Sequence, residues 1–355
     1  MEKPAETSKK PALEINASRQ FTSWLKEQRL SLAFTTYQTG KLFLLGLRLD
    51  GRLSVFERTF ERCMGLCATG DAQTLWVSTL YQLWRFENAL PPGQTHGDEM
   101  WDRHYVPQLS YTTGDIDVHD IALDRANHPN FVATLFACVA APSETHSFRP
   151  LWRPPFVTRL AAEDRCHLNG LAMEDGEPRY VTAVSTTDTH EAWREHRRAG
   201  GVVIDVKSNE IVARGLAMPH SPRLHRGRLY VLNSGAGEFG YVDLERGQFE
   251  PIAFCPGYAR GLALHGDFAV IGLSTCRESR TFQGLPLDDA LAQRQVSPRC
   301  GLQVIDLRSG DVVHTLWLEG VVRELYDVAI LAGVARPSAL GFKTEEIRRT
   351  ITMEE

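Results

Sequence analysis

No stretch of this 355-residue chain is apolar for long enough to cross a bilayer as a helix. Runs such as Leu42-Phe43-Leu44-Leu45 fall far below the roughly 18 residues a span requires. The opening MEKPAETSKKPALE is polar rather than signal-like, so a cytoplasmic protein without a membrane partner is expected. A disulfide framework is equally absent: the seven cysteines are odd in number, scattered and without a C-x-x-C pair. That excludes a cysteine zinc cluster and predicts reduced, mostly buried thiols. Positive charge is not in excess, with 39 Lys and Arg against 44 Asp and Glu and a net charge of −5, which argues against nucleic acid as a partner. Helical periodicity is scarce, confined to residues 20–29, 188–198, 287–294 and 343–350.

What the chain does have is turns and short apolar segments. It carries 28 Gly and 18 Pro, and runs such as LFLLGL, TLWVSTL, NFVATLFACVA, RLYVLNSG and FAVIGLST are each bounded by Gly, Asp, Asn or Pro, which reads as strand after strand. A four-residue plan recurs six times: Met64-Gly65-Leu66-Cys67, His119-Asp120-Ile121-Ala122, Asn169-Gly170-Leu171-Ala172, Ser221-Pro222-Arg223-Leu224, Arg260-Gly261-Leu262-Ala263 and Tyr326-Asp327-Val328-Ala329. Intervals of 39 to 66 residues between these starts suit propeller blades of four antiparallel strands, some with insertions. Too little chain follows Tyr326 to complete a blade, whereas strand-like segments at 32–38, 41–47 and 53–60 precede the first repeat. The sequence therefore predicts an all-β fold, a six-bladed β-propeller whose N-terminal strands close the last blade. Residues 1–18 read as a flexible arm, 19–340 as a single propeller domain with a short lead-in helix, and 341–355 as a helical tail.

Strings such as Arg165-Cys166-His167-Leu168-Asn169-Gly170-Leu171-Ala172, Met218-Pro219-His220-Ser221-Pro222-Arg223, Pro256-Gly257-Tyr258-Ala259-Arg260-Gly261-Leu262 and Leu151-Trp152-Arg153-Pro154-Pro155-Phe156 resemble the signature segments of an uncharacterised bacterial family, a domain of unknown function. The resemblance runs from about Phe21 onward and implies that these segments form one module. It brings no reaction with it.

The chemistry must come from the residues near the repeat starts, because the first strand of each propeller blade lines the axis. Those positions are unusually polar. His119, His167 and His220 are candidate ligands for a divalent transition metal, zinc or iron, since three imidazoles with one open position form a recognised catalytic arrangement. Polar-tunnel histidines bonded to neighbouring strands are the competing reading. Asp117, Asp120 and Asp327 could orient imidazoles or cap turns. Arg260, with Tyr258, Tyr326, Glu324 and Asp327, is the candidate catalytic group, and Arg223, Asn169 and Ser221 are candidate substrate-binding residues. Arg260 would hold an anionic group or form a permanent salt bridge to Glu324 or Asp327. The residue types are similar to those of peptidyl-hydroxyglycine amidating lyase, a six-bladed propeller with a three-histidine zinc, although no motif string is shared. They are less similar to the calcium-type sites of regucalcin-like lactonases.

Other signals are weaker. Gly235-Ala236-Gly237-Glu238-Phe239-Gly240 fits G-x-G-x-x-G but is followed by a strand-like segment, so a hairpin turn is expected and no nucleotide cofactor. Gly272-Leu273-Ser274-Thr275-Cys276 lacks a nucleophile elbow's second glycine. Residues 185–194 read as an insertion able to cover one mouth of the channel. The function expected is an axial-site enzyme of lyase, isomerase or hydrolase type acting on a small-molecule or peptide ligand. The alternative is a non-catalytic scaffold for a protein or peptide.

Overall fold

Short strands separated by tight turns bury their apolar faces by stacking sheets. In the computed structural model, which describes residues 13–275 and 282–354, they form six sheets. The innermost strands, Leu66–Ala68, Val118–Leu123, Leu168–Glu174, Pro219–His225, Tyr258–His265 and Val328–Ala332, pack one against the next in a closed circuit. The protein is a six-bladed β-propeller. The sixth blade closes as expected: Val328–Ala332 pairs with Leu30–Thr36, setting Val328 opposite Phe34, and Lys41–Leu47 and Leu53–Thr59 complete it.

Two blades gain a fifth strand. Glu14–Ala17 adds to the outer edge of the fifth blade by pairing with Val312–Glu319, so the end of the expected arm is ordered sheet, while residues 1–12 lie outside the described residues. Pro337–Ala339 runs parallel to Arg103–Thr112 at the edge of the first blade. The lead-in helix is Phe21–Gln28, whose Phe21, Trp24 and Leu25 fill the seam between the fifth and sixth blades beside Leu316 and Leu318. A second helix spans Pro286–Arg294. Of the expected helical tail only a single 3-10 turn forms, Glu345–Arg348, whose one apolar residue, Ile347, offers no face to pack. Periodicity at 188–198 likewise yields only the turn Ala192–His196. The G-x-G-x-x-G segment is a turn between Arg228–Asn233 and Glu238–Asp243.

Around the axis, one step of each innermost strand alternates between glycine and a polar residue: Gly65, Asp120, Gly170, Ser221, Gly261 and Asp327. The fourth repeat therefore begins at His220, one residue earlier than its composition suggested. Each polar side chain bonds the backbone of the next blade: Asp120 Oδ2 accepts from Leu171 N at 3.0 Å, Ser221 Oγ from Gly261 N at 3.1 Å and Asp327 Oδ2 from Leu66 N at 2.9 Å. Each glycine leaves room for the blade after it. A Cβ on Gly65 would come 3.0 Å from the Ile121 side chain, one on Gly170 would come 3.0 Å from Ser221 N, and one on Gly261 would come 2.7 Å from Asp327 Cα.

Gly261 also has φ +75°, where a side chain is strained. Gly227 has φ +77° with nothing within 4 Å. Gly227→Ala is expected to cost about 1–2 kcal/mol, and Gly261→Ala roughly 3 kcal/mol or more because the axial backbone must also move. Equal losses in melting temperature would show that close approach at Gly261 contributes nothing.

Candidate functional site

The residue before each alternating position is Met64, His119, Asn169, His220, Arg260 or Tyr326. Two residues earlier in the first four blades stand Arg62, Asp117, His167 and Met218, all with positive φ (49°, 58°, 51° and 46°). This shared kink sets the imidazoles. His119 Nδ1 donates to the carbonyl of Asp117 at 3.0 Å and His220 Nδ1 to that of Met218 at 2.9 Å. His167 Nδ1 donates to Asp164, 2.9 Å from Oδ2. With Nδ1 committed in this way, the Nε2 of a neutral ring is an acceptor.

What Nε2 meets differs. His119 and His167 line a cavity of about 470 Å3 at one mouth of the axis, with Arg260, Tyr326, Trp193 and Phe282. Their rings are edge to face at 4.9 Å. His220 is not on that wall: its Nε2 lies 3.4 Å from Asn169 Nδ2, and Asn169 Oδ1 is held by Thr182 Oγ1 at 2.7 Å. Among the described residues, no three His, Cys, Asp or Glu side chains are grouped as a metal ion requires. Of the three histidines expected as ligands, His119 and His167 share the cavity wall, and His220 is turned to its own amide partner beneath. Asn169 is correspondingly part of the packing under the site rather than a substrate contact.

Burial, reinforced by His167 and Arg260, pushes His119 down to about 4 against a weaker opposing pull from Asp117, so this imidazole is neutral at pH 7. Burial and Arg260 likewise hold His220 well below the usual histidine range. His167 is oriented differently. Asp164, which binds it, also accepts Trp193 Nε1 at 2.8 Å, and the Trp193 ring stacks on His167 at 4.1 Å. Burial raises the Asp164 carboxyl, but His167, His119 and the Trp193 bond outweigh it and lower the pKa. From the segment 185–194, Glu191, Trp193 and Arg194 line this cavity.

The two arginines have opposite environments. Arg223 lies on the far side of the alternating ring, where Nη1 and Nη2 meet Asp120 at 2.8 and 3.0 Å, Asp327 is 3.8 Å away, and the carbonyls of Leu171 and Leu262 accept at 3.1 Å. It is a cross-axis tie, which corrects its assignment as a substrate contact. Ser221 and Asp327 belong to the same ring and not to the pocket. Burial and Asp120 push the Asp327 carboxyl upward despite Arg223. Arg260 is 7% exposed and, among the described residues, has no carboxylate within ion-pair distance. The rings of Tyr326, Tyr258 and Phe282 surround its guanidinium at 4.9, 5.1 and 5.4 Å. Among the described residues, its Nε and the Tyr326 hydroxyl are buried without a hydrogen-bond partner. Glu324, expected across from it, lines a separate groove and acts on Arg260 only at longer range.

Asp164 and Trp193 were not among the sequence-derived site residues. Asp164 sits three residues before His167, a spacing a bend can close but that strand alternation does not suggest. Burial pushes the Cys166 thiol up, making it an inert core residue. Ser274 Oγ is bonded to the carbonyl of Leu325 at 3.0 Å, and Cys276 lies outside the described residues.

The family described as Domain of unknown function (DUF4915) matches residues 19–340. No curated protein matches the chain. Among solved structures, the crystal structure of a nidogen/laminin complex has a chain with a TM-score of 0.54 at 12% identity, covering 86% of this chain and 99% of that one. Virginiamycin B lyase from Staphylococcus aureus gives 0.39 at 14% identity, covering 74% and 96%. A protein of unknown function from Bacteroides caccae gives 0.39 at 12%, covering 85% and 98%. At such identities the likeness to the first concerns the fold. Among the described residues no helix is long and apolar enough to cross a membrane.

Two measurements follow from this geometry. Arg223→Met strands Asp120 and Asp327 without their cation and is expected to cost about 3–5 kcal/mol; a variant as stable as the parent would remove the cross-axis tie. For His119, the unfolded imidazole takes up a proton near pH 6.5, whereas the folded one resists to about 4. Its contribution is full above pH 6.5 and is lost as pH falls toward 4. The melting temperature of His119→Gln should therefore drop less than the parent's between pH 7 and pH 5; parallel curves would contradict a neutral buried His119.

Proposed function

The chain belongs to the family described as Domain of unknown function (DUF4915), and on that premise we propose that it is an enzyme whose axial pocket binds a small anionic molecule at Arg260. Proton transfer by His119 and by the Asp164–His167 pair would act on that molecule. One observation carries the reading. A guanidinium buried against three aromatic rings, with no carboxylate partner among the described residues and an unpartnered Nε, is a costly arrangement for a group that only packs. An incoming carboxylate or phosphate group would supply the missing acceptors, and the Tyr326 hydroxyl beside it would donate a further hydrogen bond.

The histidines add the means for chemistry. His119 offers a neutral imidazole with its acceptor nitrogen free of its own backbone partner, which is the form a general base requires. His167 is fixed by a carboxylate on Nδ1, so that a proton arriving at its ring would be stabilised by Asp164. Two imidazoles in edge contact on one wall can take a proton from one atom of a bound molecule and return it to another. That capacity serves lyase, isomerase or hydrolase chemistry, and Trp193 and Phe282 restrict water at the mouth.

Arg260 and Arg223 separate by mutation. Arg260→Met removes a buried charge that has no carboxylate partner among the described residues and is expected to leave the melting temperature unchanged or higher, while anion binding measured by calorimetry is abolished. Arg260→Lys keeps the charge but loses the planar fork, so affinity should fall about tenfold or more. A marked loss of stability in Arg260→Met, with anion binding intact, would make Arg260 a structural residue and end this reading.

A further inference from the structure

The pocket that contains Arg260 is not a basic pocket. Its charged lining comprises Asp115, Asp117, Asp164 and Glu191 against Arg62, Arg194 and Arg260. At the mouth the charges are mutually satisfied: Arg62 is bonded to Asp115, and Arg194 to Glu191 at 2.6 and 3.0 Å. Asp164 is occupied by His167 and Trp193. Two groups are left over. One is Arg260, described above. The other is Asp117, whose carboxylate accepts no hydrogen bond among the described residues: its nearest cation is Arg62, at 3.9 Å and bonded to Asp115 instead, and the His119 ring at 3.6 Å is neutral.

These two charges share one cavity without pairing with each other, and Tyr326 stands between them. The Tyr326 ring is 4.9 Å from the Arg260 guanidinium and 5.5 Å from the His119 ring, and His119 in turn adjoins Asp117. The Tyr326 hydroxyl is buried and unpartnered, its residue only 4% exposed. A dianion at Arg260 would meet an acidic surplus in the rest of the lining, which is unfavourable in a partly desolvated site. A molecule carrying one negative and one positive group satisfies both leftover charges at once.

Building on the anion-binding reading of Arg260, we propose that the ligand of this pocket is a zwitterion of the amino-acid or dipeptide class, its carboxylate on Arg260 and Tyr326 and its ammonium on Asp117. Asp117 holds a left-handed backbone, φ 58°, that asparagine tolerates as well as aspartate, so Asp117→Asn changes the charge while keeping the kink.

The test is calorimetric titration of the full chain with glycine, β-alanine, 4-aminobutyrate and glycylglycine, against acetate, propionate, butyrate and succinate. The expected result is that at least one zwitterion binds tenfold or more tightly than its matched carboxylate and than succinate. Asp117→Asn should erase that preference while leaving carboxylate affinity unchanged or higher, and Arg260→Met should abolish both. If carboxylates or succinate bind as well as the zwitterions, or if Asp117→Asn leaves the ratio untouched, the zwitterion assignment falls and the anion reading of Arg260 stands. If no probe binds the parent, or if Arg260→Met binds as the parent does, both fall.

Discussion

Six strands must meet around one axis, and the closeness of that meeting governs the rest of the molecule. Side chains at the same step of all six would collide, so glycine stands at every second blade, where a Cβ would press on the following strand. The remaining three blades place Asp120, Ser221 and Asp327 there, each bonded to the next blade's backbone amide. Contact and hydrogen bond thus alternate around the circuit. Arg223 then joins Asp120 and Asp327 across the axis. A buried cation between two carboxylates is a weak source of net stability but a strong selector of one arrangement, because any other leaves a charge unpaired.

That closure dictates what lies on its other side. Once the alternating step is fixed, the preceding residue of each blade, Met64, His119, Asn169, His220, Arg260 or Tyr326, has nowhere to go but toward the axis. The left-handed residue two positions earlier turns its carbonyl to the imidazole in the second and fourth blades. Below the ring, Arg223 is paired with Asp120 and Asp327; above it, among the described residues, Arg260 has no carboxylate partner and Asp117 has only Arg62 at 3.9 Å. The same architecture therefore carries one end where the axial arginine is paired with carboxylates and another where the axial arginine is enclosed by aromatic rings.

Much of this was legible before any coordinates. Six repeat starts and a surplus of N-terminal strands specify a closed six-bladed ring, since unpaired strands at one end need the unfinished blade at the other. The polar axial residues were legible for the same reason: the repeat itself marks them. The fourth repeat was misregistered by one residue because Ser221-Pro222 imitates the small-then-apolar plan, although Ser221 occupies the step of the glycines and His220 that of His119. Pairings across the axis were not legible. Arg223 and Arg260 both look like axial arginines in sequence, and only the positions of Asp120 and Asp327 relative to the ring decide which one is neutralised. Asp164 escaped notice because its contact with His167 runs through a bend, not along a strand.

The three histidines show how a repeated device diverges. In each, Nδ1 is committed to a nearby oxygen, so the ring orientation is set locally and the second nitrogen is presented as an acceptor. Local sequence can do no more than that. His220 meets the amide of Asn169, itself fixed by Thr182, and becomes part of a closed polar core. His119 and His167 meet each other's rings and the cavity. His167 has the Asp164 carboxylate hydrogen-bonded to Nδ1 at 2.9 Å, whereas His119 Nδ1 is held by a backbone carbonyl with the Asp117 carboxylate no nearer than 3.6 Å, and burial disfavours a proton on His119. Two identical side chains on one wall are thereby held by different acceptors, a backbone carbonyl and a carboxylate, and the source of the difference is a single acidic residue on a bend.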